Sequence, residues 1–205
     1  MLDNVLRIAI VGVGPRGLSV FERICANARQ LDIVAGVELV VIDSNRVGTG
    51  SVRRTDQSSH LLMNTVAEQV TIFTDDTVEM AGPVERGPSL YEWSDFLTKI
   101  GNFAGLPAAV FGTASHISPD TYPSRAYYGH YLRWAFERTH DRYADWVRVR
   151  EIVATVVDLR DGPAGFQELE LSTGERLRGP LTELLRPENY LGAAPDLVDR
   201  VLRRL

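Results

Sequence analysis

The chain has one cysteine in 205 residues, Cys25, so an internal disulfide, a redox thiol pair and a cysteine-rich zinc site are all excluded. It has no basic excess. Its 22 Lys and Arg face 27 Asp and Glu, a formal charge of -5, whereas a nucleic-acid binder carries a basic patch or stripe. The basic pairs Arg53-Arg54 and Arg203-Arg204 are too short for a polybasic membrane anchor. No apolar run approaches the roughly 20 residues that a membrane helix needs. The N-terminus has no basic region followed by an apolar core and a cleavage site. These absences point to a cytoplasmic, soluble protein with neither nucleic acid nor membrane as partner. With 44% hydrophobic and 24% charged residues the composition is that of a folded domain, long enough for one good core.

What is present begins with "RIAIVGVGPRGLSVFERI", Arg7 to Ile24. Leu6 to Val11 is an apolar, β-branched run that predicts a parallel strand buried on both faces. From Arg16 to about Leu31, Leu18, Phe21, Ile24, Cys25 and Ala28 trace one face of a helix. Cys25 on that face reads as a small buried hydrophobe. "VELVVIDS" is a second buried strand ending in Asp43, and the three pieces form a βαβ unit. Between strand and helix, Gly12, Gly14 and Gly17 fit G-x-G-x-x-G. The first allows a tight turn, the second a close approach of backbone to a diphosphate, and the third close helix–strand packing. The motif alone says little, but here it follows a strand, opens a helix and precedes a strand with a terminal acid. Pro15 suits a first helical position. Arg16 either pairs with phosphate or stands exposed in the first turn. Asp43 would accept ribose hydroxyls and disfavour a 2′-phosphate; otherwise it is a solvated strand end.

Further along, Asp43 to Ser59 reads as a long loop, and "LLMNTVAEQVTIF" as extended, then helical. Ser89 is an N-cap for a short helix holding Tyr91, Trp93 and Phe96. "YPSRAYYGHYLRWAFERTHDRY" is the strongest helix, with Tyr128, Tyr131, Leu132, Ala135 and Phe136 on one face and Arg133, Glu137 and Arg138 opposite. "VRVR", "EIVATVVDLRD" and "QELELSTGE" together predict an antiparallel β-meander. The tail "PDLVDRVLRRL" carries Leu197, Val198, Val201, Leu202 and Leu205 on one helical stripe.

"IVGVGPRGLSVFERI", "GTGSVRRTDQSSHLLMNT", "QVTIFTDDTV", "GPSLYEW" and "YPSRAYYGHYLRW" together resemble the bacterial FAD/NAD(P)-binding proteins of the flavoprotein-monooxygenase-like type. The likeness runs from about Leu6 to about Gly174. It implies an α/β, Rossmann-like three-layer FAD-binding fold with a parallel sheet, a β-meander and a C-terminal helix. It implies FAD as cofactor, with NAD(P)H as external electron donor. The resemblance places Gly12, Gly14, Pro15, Arg16 and Gly17 on the FAD diphosphate, and Asp43 with its neighbour Ser44 at the adenosine ribose. Asp56, Gln57, His60, Met63 and Asn64 become candidates for contacts to flavin or substrate, with Asn64 as a turn residue and His60 as a surface or capping residue as the plainer readings. Arg125 and Tyr128 correspond to a helix entry that closes over the cofactor, which Ser124 as a helix start also explains. Main-chain groups near Val153 and Ala154 would hold the adenine.

The same resemblance leads one to expect a further apolar strand after the meander, which "PLTELLRPENYLGAAPDLVDRVLRRL" does not supply. Residues 1–179 therefore read as an FAD-binding domain incomplete at its C-terminal side, and 180–205 as a divergent helical tail. No second G-x-G-x-x-G is present. Three readings follow. The first is an FAD-dependent oxidoreductase, monooxygenase-like or dehydrogenase, acting on a small molecule in secondary metabolism, completed by a partner chain or by homodimerisation through the C-terminal helix. The second is a non-catalytic nucleotide-binding partner subunit. The third is a cofactor-free small-molecule binder or non-redox enzyme reusing the cleft. No metal site and no catalytic acid or base are assigned.

Overall fold

Strand β1, Val5–Val11, runs into a glycine turn, and helix α1, Pro15–Ala28, follows at once with Pro15 at its start. The structure, a computed structural model, describes residues 5–30, 36–80, 82–101, 105–162 and 166–180. The predicted tail helix, and any dimer contact through it, lie outside the described residues. Strand β2, Gly36–Asp43, returns parallel to β1 with Ala9 opposite Val40 and Val11 opposite Ile42. Helix α2 is Leu90–Ile100, α3 is Ala108–Ala114 and α4 is Arg125–Tyr143. Strand β3, Val147–Val153, then pairs parallel with the other side of β2, giving the order β1-β2-β3.

That pairing corrects the reading of "VRVR" and "EIV" as the start of a meander. Alternation sets which face a side chain takes but not the direction of the partner strand, and α4 supplies the long crossover a parallel partner requires. A second correction concerns β1. It lies at one edge of the sheet, and Arg7, Ala9 and Val11 are exposed (Val11 by 54%), so only one of its faces is covered by the described residues.

The core forms where α1 meets α4 and the sheet. Leu18, Phe21 and Cys25 of α1 bury against Leu39 and Val41 of β2 and against Leu132 and Phe136 of α4. The rings of Phe21 and Phe136 are 4.7 Å apart. Each fully buried side chain of this size stabilises by about 1.5–3 kcal/mol. Burial pushes the Cys25 thiol up to about 12. On α2 the Ser89 Oγ accepts the Glu92 N–H at 3.1 Å while the Glu92 carboxylate accepts the Ser89 N–H at 2.8 Å. This reciprocal cap contributes about 1 kcal/mol. Trp93 then packs on Tyr127, Tyr131 and Trp134, which joins α2 to α4.

Two buried carboxylates fasten the segment before α2. Arg23, paired with Glu22, donates to the Pro83 carbonyl at 2.7 Å. Glu85 accepts from the Tyr143 hydroxyl and pairs with Arg142 at 3.2 Å. Arg133 belongs less to solvent than its position opposite the apolar stripe suggests. It is half-buried and pairs with Glu137 and with Glu151 of β3.

The chain divides into two compact units, Met1–Val156 and Val157–Leu205. Strand β4, Val156–Asp161, starts at that division, and β5, Phe166–Leu171, and β6, Arg176–Pro180, complete a three-stranded sheet in the order β4-β5-β6. Strands β5 and β6 run antiparallel, with Glu168 opposite Arg178 and Glu170 opposite Arg176. Among the described residues no helix is long and apolar enough to cross a membrane.

Candidate functional site

The carboxyl ends of the three parallel strands and the N-terminus of α1 surround a cleft of about 650 Å³. Its first wall is the glycine turn. Gly12 adopts φ +84°, a left-handed backbone that favours glycine, and its N–H donates to the Ile42 carbonyl at 2.8 Å. Gly17 is fixed by packing, since a Cβ there would sit 2.1 Å from the Gly12 carbonyl oxygen. Gly14 is different. A Cβ there would meet only the Gly50 Cα, at an ordinary 3.7 Å, and its φ of -78° suits any residue. Among the described residues no side chain caps the first N–H groups of α1, so they are open to an anion, with the helix dipole adding attraction. Pro15 and Arg16 also line the cleft, Arg16 exposed to solvent.

The second wall is the end of β2. Asp43 is 6% exposed, which replaces the solvated strand end with a buried strut. One of its carboxylate oxygens accepts the Val13 N–H at 2.8 Å and the other the Asn45 N–H at 2.9 Å. Its carbonyl accepts the Ala154 N–H at 2.9 Å. Each carboxylate oxygen has lone pairs to spare for a further donor. Ser44 is exposed beside it, and Ala154 forms the third wall with Thr155 and Val156.

The loop after β2 closes the remaining side. The Gly48 N–H donates to the Val13 carbonyl at 2.8 Å, so both main-chain groups of Val13 are clamped. Gly50, with φ +60°, brings its backbone against Gly14, where a Cβ would lie 3.0 Å from the Gly14 Cα. Thr49, Gly50, Val52 and Arg53 line the cleft. These loop residues carry no local sequence signal for the cleft: Gly48 and Gly50 in "GTGS" mark a tight turn, but nothing near them in sequence ties that turn to Gly14.

The other expected residues lie elsewhere. Gln57 donates to the Val52 and Arg54 carbonyls and braces the loop, while Asp56 pairs with Arg54 at 3.2 Å. His60 is exposed, with its main-chain N–H on Ser58. Met63 and Arg125 come together through a bridge between Leu62 and Ser124: the Met63 N–H donates to Pro123 and the Arg125 N–H to Leu61. Asn64 is exposed beside them. None of Gln57, His60, Met63, Asn64 or Arg125 lines the cleft. Tyr128 is buried in the core, and burial pushes its phenol up to about 12.

The chain is 43% identical over 200 residues to L-aspartate N-monooxygenase (nitrosuccinate-forming) of Streptomyces davaonensis, a match covering 94% of this chain and 30% of that protein. It is 42% identical over 200 residues to nitrosuccinic acid synthase npaA of Aspergillus oryzae, covering 97% of this chain and 28% of that one. It thus spans less than a third of the length of the relatives it matches. Among solved structures, the lysine monooxygenase NbtG of Nocardia farcinica aligns with a TM-score of 0.48 at 16% identity, over 85% of this chain and 40% of that one. A family profile described as FAD-NAD(P)-binding matches residues 9–181. With the glycine turn, β2, β3 and the residues lining the cleft inside that match, the chain belongs to the FAD-NAD(P)-binding family.

Proposed function

We propose that this chain is the FAD-holding part of a flavin-dependent monooxygenase that acts on a small amino acid. The observation that carries the reading is Gly14. Neither its backbone angle nor its neighbours require a glycine, so a bound molecule approaching the main chain is what the missing side chain serves. The uncapped N–H groups of α1 and the spare lone pairs of Asp43 fit the two ends of an adenosine diphosphate.

In this reading Gly12, Gly14, Pro15, Arg16 and Gly17 hold the diphosphate, Asp43 and Ser44 the ribose, and main-chain groups at Ala154 the adenine. Gln57, His60, Met63, Asn64 and Arg125 serve the flavin end or the substrate. The flavin, when bound, supplies two-electron transfer and reaction with dioxygen, with NAD(P)H as donor. The substrate class is an acidic amino acid oxygenated at nitrogen, supported by the names of the two relatives and by identity above 40% to each. Residues 1–179 act as the FAD-binding part in the cytoplasm.

The test is titration of the purified chain with FAD, followed by flavin absorbance and fluorescence. Saturable binding is expected, and Gly14→Val should abolish it while circular dichroism shows the fold retained. Wild-type protein that takes up no FAD, or a Gly14→Val variant that binds it normally, overturns the reading.

A further inference from the structure

Residues 44–55 carry three arginines, and the structure treats them differently. Arg46 pairs with Glu137 at 3.7 Å and Arg54 with Asp56 at 3.2 Å. Arg53 has neither an ion pair nor a hydrogen bond among the described residues, and its Nε is shut off from solvent with no acceptor. A buried donor left unmet is costly, and more so when it belongs to a charged group. Unlike the exposed Arg16, this nitrogen cannot recover that cost from bulk water.

The position of Arg53 is set from outside its own loop. A Cβ on Gly129 would lie 2.0 Å from the Arg53 carbonyl oxygen, so α4 runs its bare backbone directly against that of Arg53. The chain therefore gives up a side chain on α4 at the point where the Arg53 backbone is seated. Arg53 also lies close enough to Tyr128 to draw the phenol pKa down against burial. The cleft that Arg53 lines contains one carboxylate, Asp43, and both its oxygens already accept main-chain N–H groups. The backbone of Arg53 is held in place, and its cation has no counter-charge among the described residues and borders the cleft.

We propose that Arg53 is a binding residue of this cleft whose guanidinium takes an oxyanion, either a phosphate of the bound dinucleotide or a carboxylate of a co-bound small molecule. This deepens the FAD reading and rests on it. A planar guanidinium offers its two terminal nitrogens as a fork that matches two oxygens of one phosphate or carboxylate. Lysine keeps the charge and lacks the fork.

The test uses the full chain as wild type, Arg53→Gln and Arg53→Lys, with calorimetric titration of ADP and of FAD, and of succinate into the FAD-saturated protein. Loss of about tenfold or more in ADP and FAD affinity for Arg53→Gln, with Arg53→Lys between, supports the proposal with phosphate as the source. Unchanged ADP and FAD affinity with a comparable loss for succinate supports it with carboxylate as the source. An Arg53→Gln variant that binds every probe as the wild type does overturns the proposal and leaves the FAD reading standing. Should Arg53→Gln fail to fold, Arg53→Lys decides: wild-type affinity for all probes overturns the proposal. A wild-type chain that binds neither FAD nor ADP overturns the FAD reading, and this proposal with it.

Discussion

The Asp43 carboxylate accepts the main-chain N–H of Val13 at 2.8 Å, so the end of β2 holds the turn that follows β1 in shape. The contact is buried, and Val13 itself is fully enclosed. A residue read in the sequence as a ribose acceptor is thereby also a structural brace for the turn that faces the same cleft.

Asp43→Ala should lower stability by about 1–3 kcal/mol, because the Val13 N–H is left buried without an acceptor. Chemical denaturation measures this. Asp43→Asn should recover only part, since one of the two amide positions presents a donor to a main-chain donor. Wild-type stability in Asp43→Ala would show that water or a neighbour replaces the carboxylate.

Alanine substitutions separate the two glycines of the turn that look alike in the motif. Gly17→Ala should cost about 2–4 kcal/mol, because its Cβ meets the rigid Gly12 carbonyl. Gly14→Ala should stay within about 1 kcal/mol of wild type, its Cβ having ordinary clearance. Equal losses in the two variants would remove the distinction drawn between packing and ligand access.

Alkaline pH should destabilise the chain. Tyr127, Tyr128 and Tyr143 are each pushed up to about 12, all chiefly by burial, and Tyr143 further by the Glu85 carboxylate it faces. An unfolded phenol releases its proton near pH 10 whereas these hold theirs to about pH 12. Deprotonation therefore favours the unfolded chain, and stability present below about pH 10 is lost progressively toward about pH 12. Denaturation midpoints across that interval, with Tyr143→Phe flattening part of the fall, check the assignment.

Local pattern made much of this fold legible. The glycine turn, α1, β2, the Ser89 cap and α4 each rest on residues within one or two turns of each other, and each forms where expected. Helix α3, "AAVFGTA", went unread because seven residues with a glycine and two β-branched side chains carry no helical stripe. The residues of β3 mark a strand but not its partner, since direction is decided by α4 and the crossover rather than by its own residues. The role of Arg53 was invisible for a similar reason. What seats it is Gly129, on the far side of the sequence, and a missing side chain leaves no trace of what it makes room for. Gln57, His60, Met63, Asn64 and Arg125 entered through likeness alone, and the structure places them away from the cleft that the glycine turn helps to form.

The edge position of β1 has a practical side. Among the described residues its outward main-chain groups pair with no strand, and its seven residues carry one charge, Arg7. Such a rim is adhesive toward any extended peptide, including another copy of itself, and a single arginine is thin protection against clumping in a crowded expression host. Preparations of the isolated polypeptide call for dilute handling or a solubilising fusion.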